Sequence, residues 1–326
     1  MEPSFVNPRA DEGELSLEHQ LPGNLAVSAT FLVTRGLHLP SSYDANVAPS
    51  TSTKTFNVET STGSSLMSYT VPFYTARLDP STGIILNQYS AVDSWYNALV
   101  LTLRKPLGHS IEVLANYTYS KALDDGEVTG TNGTFFGTDG VSDPYNLNED
   151  YSYSDLDQRH KFVGTLVWTP NYFHGSNMFA RAVANGWVLG TIVTALTGEP
   201  YSPMIGTSTV TGGIDGGLSG GVVSTNASAT GGRATFIARN AFRYPTWTDI
   251  DLRLERDFTI HERYKLAFRA EAFNLFNSTL VQGVNTEAYT VSGANIIPFA
   301  AFQTPSTTST VLDGARQLQT GFRFEF

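Results

Sequence analysis

The feature that most constrains this chain is a two-faced alternation that recurs along its length and ends it. In Ala315–Phe326, Leu318, Phe322, Phe324 and Phe326 share one face, while Gln317, Gln319, Arg323 and Glu325 share the other. Successive side chains of a strand point to opposite sides, so such a segment carries one apolar and one polar face. Thr246–Asp257 repeats the pattern, setting Ile250, Leu252 and Leu254 against Asp249, Asp251, Arg253 and Glu255. Arg263–Phe273 sets Leu266, Phe268, Ala270 and Ala272 against Lys265, Arg269 and Glu271. Helical periodicity is scarce. No run approaches the roughly 18 apolar residues that mark a membrane-spanning helix.

Nine such segments can be read: Glu14–Gln20, Asn24–Thr34, Ser94–Lys105, Ser110–Lys121, Arg159–Thr169, Trp187–Thr197, Thr246–Asp257, Arg263–Phe273 and Ala315–Phe326. Short connections alternate with the long ones Arg35–Asp93, Ala122–Gln158, Gly198–Pro245 and Asn274–Gly314. Long structureless loops are foreign to an ordinary compact domain. In an outer-membrane barrel they are the rule, because periplasmic turns are short and extracellular loops long. Pro170–Gly186 is the one long connection on the short side. Tyr69–Arg77 and Gly83–Tyr89 also read as extended, so the first long loop is expected to carry a hairpin of its own.

Composition points the same way. Charged residues are 15% of the chain, well below the usual quarter, and aromatics reach 12%. The net charge of −10 argues against a nucleic-acid partner. The absence of Cys removes disulfides, thiolate metal sites and Cys nucleophiles together. A soluble β-sandwich would show the same alternation, so the placement of the Trp residues carries weight. Trp95, Trp168, Trp187 and Trp247 all fall at strand ends, joined by Tyr96, Tyr172, Tyr264 and Phe258. Rings with one polar atom favour the membrane–water interface.

Several segments resemble a known family. They are NPRADEGELSLEHQL at 7–21, YNALVLTLRKPLGHSIEVLANYTYSKALDD at 96–125, DLDQRHKFVGTLVWTP at 155–170, RAEAFNLFN at 269–277 and the terminal GFRFEF. Their order and spacing resemble the C-terminal barrel region of TonB-dependent outer-membrane receptors of the Oar-like branch. The resemblance implies an all-β, antiparallel, up-and-down transmembrane barrel portion in the cell outer membrane. It implies outer-membrane lipid, a plug domain and the TonB complex as partners. The barrel-assembly machinery would read the terminal aromatic strand. Family barrels have about 22 strands, so residues 1–326 are expected to be an open fragment, with the plug, signal peptide and N-terminal extension lying outside it. The intact protein would import a solute or handle a larger ligand. The alternative is a secreted β-sandwich adhesin or carbohydrate-binding module, whose apolar face would be buried against a second sheet.

No catalytic, cofactor-binding or metal-ligating residue is assigned. Gly217-Leu218-Ser219-Gly220-Gly221 matches the nucleophile-elbow pattern, but it sits in a Gly-rich stretch with no helix to follow. Ala122–Gln158 holds Asp124, Asp125, Glu127, Asp139, Asp143, Glu149, Asp150, Asp155 and Asp157 and no Lys or Arg. Calcium could use such carboxylates, yet the spacing is not that of an EF-hand, and a solvated acidic loop is expected. His19, His38, His109, His160, His174 and His261 show no paired ligand spacing. Asp251, Arg253, Glu255, Arg269, Glu271, Arg323 and Glu325 are expected to face a wet lumen and pair across strands.

Overall fold

The computed structural model describes residues 3–83, 85–108, 110–126, 143, 145–171, 173–206, 232–260, 264–308 and 314–326. Its dominant element is an antiparallel meander of nine strands. These are β1 (Arg9–Leu21), β2 (Leu25–Asp44), β3 (Leu86–Gly108), β4 (Ile111–Asp124), β5 (His160–Trp168), β6 (Trp187–Leu196), β7 (Trp247–Ile260), β8 (Tyr264–Phe273) and β9 (Gln317–Glu325). Each pairs with its sequence neighbour, and the short Ser152–Tyr153 adds to β4. The order is up-and-down throughout, and β1 and β9 are the two free edges of an open sheet.

The register carries one face through all nine strands. Leu17 stands beside Ala29, Ala29 beside Leu101, and Leu101 beside Tyr117. Tyr117 stands beside Phe162, and Phe162 beside Ala195. Across the far half, Leu189 meets Leu254, Leu254 meets Ala270, and Phe268 meets Phe322. The opposite face runs through Ser16, Thr30, Thr102, Asn116, Val163, Thr194, Asp249, Asp251, Arg253, Glu255, Glu271 and Gln319.

Among the described residues no second layer covers the apolar face. Leu15, Leu17, Phe31, Leu101, Leu318, Phe322 and Phe324 are exposed, while Ile250, Leu252, Leu254, Leu266 and Phe268 are half-buried among their neighbours. A sandwich would bury these side chains between two sheets. A continuous apolar surface of this extent far exceeds the few hundred Å² a soluble protein leaves in water. The sandwich alternative is therefore set aside.

Local chemistry explains the short turns. Pro22-Gly23-Asn24 links β1 to β2 with Gly23 at φ 82° and Asn24 at φ 63°, a left-handed pair that Gly and Asn tolerate. The Pro170–Gly186 connection folds into a short helix, α1 (Met178–Ala184), that docks on the rim. The Val183 carbonyl accepts from Trp187 Nε1 at 2.8 Å and from Arg256 Nη1 at 3.1 Å. Arg256 stands on the apolar face at this end, its guanidinium 4.8 Å from the Trp187 ring centroid and 4.7 Å from that of Phe258.

Three expectations need correction. The hairpin in the first long loop pairs Ser65–Phe73 with Ser52–Glu59, while most of 83–89 belongs to β3. The β2–β3 ladder reaches Asp44 and Leu86, well past the alternating segment, after a bulge at His38, whose φ is 59°; bulges bend strands in this way. At 23 residues, β3 is roughly 75 Å long, several times the roughly 25 Å apolar band of such barrels. Finally, Trp95, Trp168 and Trp187 lie on the apolar face, but Trp247 and Tyr96 lie on the polar one. Trp247 pairs with Leu196, which pairs with Lys161.

Candidate functional site

The long connections do not hang as separate loops. Three of the four contribute strands to one six-stranded sheet, in the order Gly232–Arg233, Met204–Ile205, Glu287–Ser292, Asn295–Pro298, Ser52–Glu59 and Ser65–Phe73. Under it lies a dry core of Phe56, Val58, Val71, Ile205, Ala234 and Ile296, flanked by Tyr69, Phe236 and Tyr289. The Tyr69 and Phe236 rings meet edge-on at 5.3 Å, and Phe236 and Tyr289 at 5.2 Å. The best-buried apolar cluster of the described residues is thus in the loops and not in the main sheet. That is what a sheet solvated by lipid on one side and water on the other requires.

The remaining loop, Ala122–Gln158, joins through side chains. Arg233 donates to Asp150 Oδ1 at 2.7 Å, and Arg239 Nε to the Asp150 carbonyl at 2.8 Å. Arg239 also pairs with Asp124, and Arg243 with Asp157. Asn240 donates to the Tyr153 carbonyl at 2.7 Å, and Asp157 accepts from the Ala122 N–H at 2.6 Å. Asp124, Asp143, Asp150 and Asp157 are all buried. The expectation of a solvated acidic loop is therefore wrong for these residues: they are the acceptors of a buried fastening. Burial lowers the Arg239 pKa to about 10, which leaves it protonated at neutral pH.

The sequence carries a signal for this fastening. Arg233, Arg239 and Arg243 fall within eleven residues of one long loop, and the neighbouring long loop is acidic and lacks any cation. Buried charges persist where they are paired, so complementary loops of this kind are candidates for mutual burial.

Clefts open in the cap among the described residues, and two of them bear on function. The larger, about 920 Å³, lies between 49–53, 69–74 and the acidic loop, with Tyr69, Tyr74, Tyr145, Asp143 and Glu149 in its wall. Tyr74 donates its hydroxyl to Asp143 Oδ1 at 2.6 Å and stacks on Tyr145 with centroids 5.9 Å apart. Burial raises the Tyr74 phenol pKa, and the bond to Asp143 raises it further. Burial likewise raises the Glu149 carboxyl, against the pull of Arg233. The smaller cleft, about 360 Å³, sits at the long-loop end of the polar face, where Trp247 and Leu196 meet Gln158, Glu199, Tyr244 and Gln282.

Below this mouth the polar face carries the expected cross-strand pairs. Arg253 stands opposite Glu271 and Glu255 opposite Arg269. Arg269 Nε lies 3.1 Å from Glu255 Oε2, Arg253 Nε lies 3.9 Å from Glu271 Oε1, and Arg253 also pairs with Glu255. Asp251 accepts from the Asn274 N–H at 2.9 Å. Arg323 and Glu325 pair along β9. Neither Ser219 nor Glu127 and Asp139 lie within the described residues, and the same holds for His109, His261 and Tyr172. His160 stacks against Tyr117, whose hydroxyl lies 2.8 Å from its Nδ1. Among the described residues no group of three or more His, Asp and Glu is arranged to hold a metal ion.

A single-layer sheet with an exposed apolar side, a polar inner side and a folded cap defines an outer-membrane β-barrel domain. The chain belongs to the family described as outer membrane beta barrel domain, whose model matches residues 1–319. It is thus a component of the cell outer membrane, and by the usual rule for such barrels the cap is extracellular and the short turns periplasmic. Among solved structures the chain is similar to the outer membrane transporter YddB from Escherichia coli, with 10% identity and a TM-score of 0.46. That likeness covers 99% of this chain and 33% of the transporter, so the chain spans about a third of its length. No curated protein matches the chain.

Proposed function

We propose that the chain is the C-terminal barrel portion of a TonB-dependent, Oar-like receptor that imports a solute or handles a larger ligand. The observation that carries this reading is the cap: the long loops form one folded body with polar and aromatic clefts, standing at the mouth of a charged lumen face. A barrel that merely anchored a protein would not need its loops cross-braced by buried ion pairs. The connections Arg35–Asp93, Ala122–Gln158, Gly198–Pro245 and Asn274–Gly314 form the ligand vestibule. Nothing in this reading calls for catalysis or a cofactor.

The free edges β1 and β9 belong to the same proposal. Each leaves a row of backbone N–H and C=O groups unpaired in hydrocarbon, at several kcal/mol per group, which is why membrane-spanning sheets close. Further strands and a plug would come from a companion polypeptide or an adjoining segment. The barrel-assembly machinery would engage β9 and its terminal Phe326.

Isolation from outer membranes in mild detergent tests this. The chain is expected in one body with the additional strands and plug, and ligand uptake is expected to stop when the protonmotive force is collapsed. A monomeric, heat-modifiable barrel formed by this chain and restoring uptake unaided would overturn the fragment reading. Uptake indifferent to the protonmotive force would overturn TonB dependence.

A further inference from the structure

Trp247 departs from the pattern set by the other Trp residues. Trp95, Trp168 and Trp187 lie on the lipid side, Trp168 and Trp187 at the ends of their strands, where an interfacial indole belongs. Trp247 stands at the long-loop end of its strand but on the lumen side, in the wall of the smaller cleft. Its indole N–H is buried with no acceptor among the described residues, a state that is rare in native structures. The lipid interface therefore does not account for this side chain.

The rest of the wall narrows the chemistry. Tyr244 is half-buried beside Trp247, while Glu199 and Gln282 are exposed to the cleft and Gln158 is half-buried at its edge. Gln158 is tethered to the Thr197 carbonyl at 3.4 Å, and the Tyr244 N–H donates to the Glu199 carbonyl at 3.0 Å, so both flanks are held by backbone. Among the described residues no Lys, Arg or His side chain lines the cleft. The nearby guanidinium of Arg243, which donates to the Gly198 carbonyl at 3.3 Å, is paired with Asp157, so the wall is poorly provided for an anionic ligand or a ferric chelate of net negative charge. A single exposed carboxylate is a thin provision for a polycation.

What remains is a pair of aromatic rings with two amides and one carboxylate around them. Primary amides both donate and accept, and a carboxylate accepts twice. Ring faces are electron-rich and take up the C–H face of a pyranose. Few polar groups converging on a mainly apolar wall are the ordinary anatomy of a small-ligand site, and about 360 Å³ is at the small end of that range.

We propose that this cleft is a subsite for a neutral, hydroxyl-rich ligand, a short saccharide, stacked on Trp247 and Tyr244 and hydrogen-bonded by Gln282, Gln158 and Glu199. The inference rests on the receptor reading above and gives it a ligand class. It also assigns Trp247 a role in ligand recognition in place of membrane anchoring.

The chain taken from outer membranes in mild detergent, in whatever assembly it occupies there, is titrated separately with maltotriose, cellotriose and chitotriose. Calorimetry and intrinsic fluorescence are the readouts. At least one trisaccharide is expected to bind saturably, with affinity reduced at least tenfold by Trp247→Ala and by Gln282→Ala. Because Gln282 is exposed, its substitution spares the fold, and an unchanged protease digestion pattern verifies this for both variants. Failure of all three sugars to bind overturns the proposal, as does sugar binding unaltered by both substitutions. Binding of trilysine or ferric citrate that is lost in Trp247→Ala, with no sugar response, also overturns it. Uptake is measured apart from binding: a sugar that binds at Trp247 but is not taken up leaves the subsite standing and counts against the transport reading.

Discussion

Replacing Arg239 by Met should unfasten the extracellular cap. The Arg239 side chain is 1% exposed and that of its partner Asp124 is 6% exposed. Its Nε also holds the Asp150 carbonyl at 2.8 Å. Arg239→Met keeps much of the aliphatic volume but leaves the Asp124 carboxylate buried without its cation. Breaking a buried pair from one side costs about 3–5 kcal/mol. Each 1.4 kcal/mol is a factor of ten, so the open population of the cap rises roughly 10²–10⁴-fold. Protease added to intact cells reports that population, provided the cap recloses faster than it is cut. The decisive variant is the double substitution Arg239→Met/Asp124→Asn. Because the stranded charge is the main cost, the second change should restore most of the resistance that the first removes. Wild-type cleavage rates in Arg239→Met would refute the reasoning. So would a double variant that is worse than either single one by the sum of their effects.

Other outcomes follow from the same structure. Leu252→Arg, on the lipid face near the middle of β7, should cost about 2–4 kcal/mol and deplete the protein from the outer membrane. Arg253→Gln, one residue along and facing the lumen, should change accumulation little, which quantitative immunoblotting of membrane fractions compares directly. Single-Trp variants in vesicles containing brominated lipid should show quenching at Trp95, Trp168 and Trp187 and little at Trp247. Strong quenching at Trp247 would reverse its assigned face. For Glu149, burial raises the folded-state pKa above the unfolded value. The sign follows from linkage: that stabilising contribution is full below the unfolded Glu pKa and is lost as pH rises through the folded one. Glu149→Gln should therefore make the cap more protease-resistant than wild type at pH 7, with the gap closing as the pH falls through the ordinary carboxylate range. A gap that widens in acid would contradict this.

The sequence by itself determined the membrane sheet. Each of the nine strands overlaps the segment the alternation marked, β2 and β3 running well beyond theirs, because lipid on one side and water on the other impose a period of two that tolerates few exceptions. Ile250, Leu252 and Leu254 against Asp249, Asp251 and Arg253 is a pattern legible without coordinates, and cross-strand pairing of the charged face was expected from it, with the register setting Arg253 opposite Glu271. Trp247 shows the limit of this reading. Its position at a strand end was plain, but the face it takes depends on the register against Leu196 and Lys161, which one residue of slip would invert.

The cap was decided only by tertiary structure. Its strands are short pieces of three different loops, two of the pairings are parallel, and Met204–Ile205 and Gly232–Arg233 are too brief to leave any periodic trace. The acidic run from Asp124 to Asp157 looks like a solvated surface when read alone. Burial of those carboxylates depends on Arg233, Arg239 and Arg243, which lie more than eighty residues further on and reach them only because the barrel strands set the two loops side by side. Local pattern records the solvent that each strand face meets; which loop lies against which depends on contacts between residues far apart in the chain.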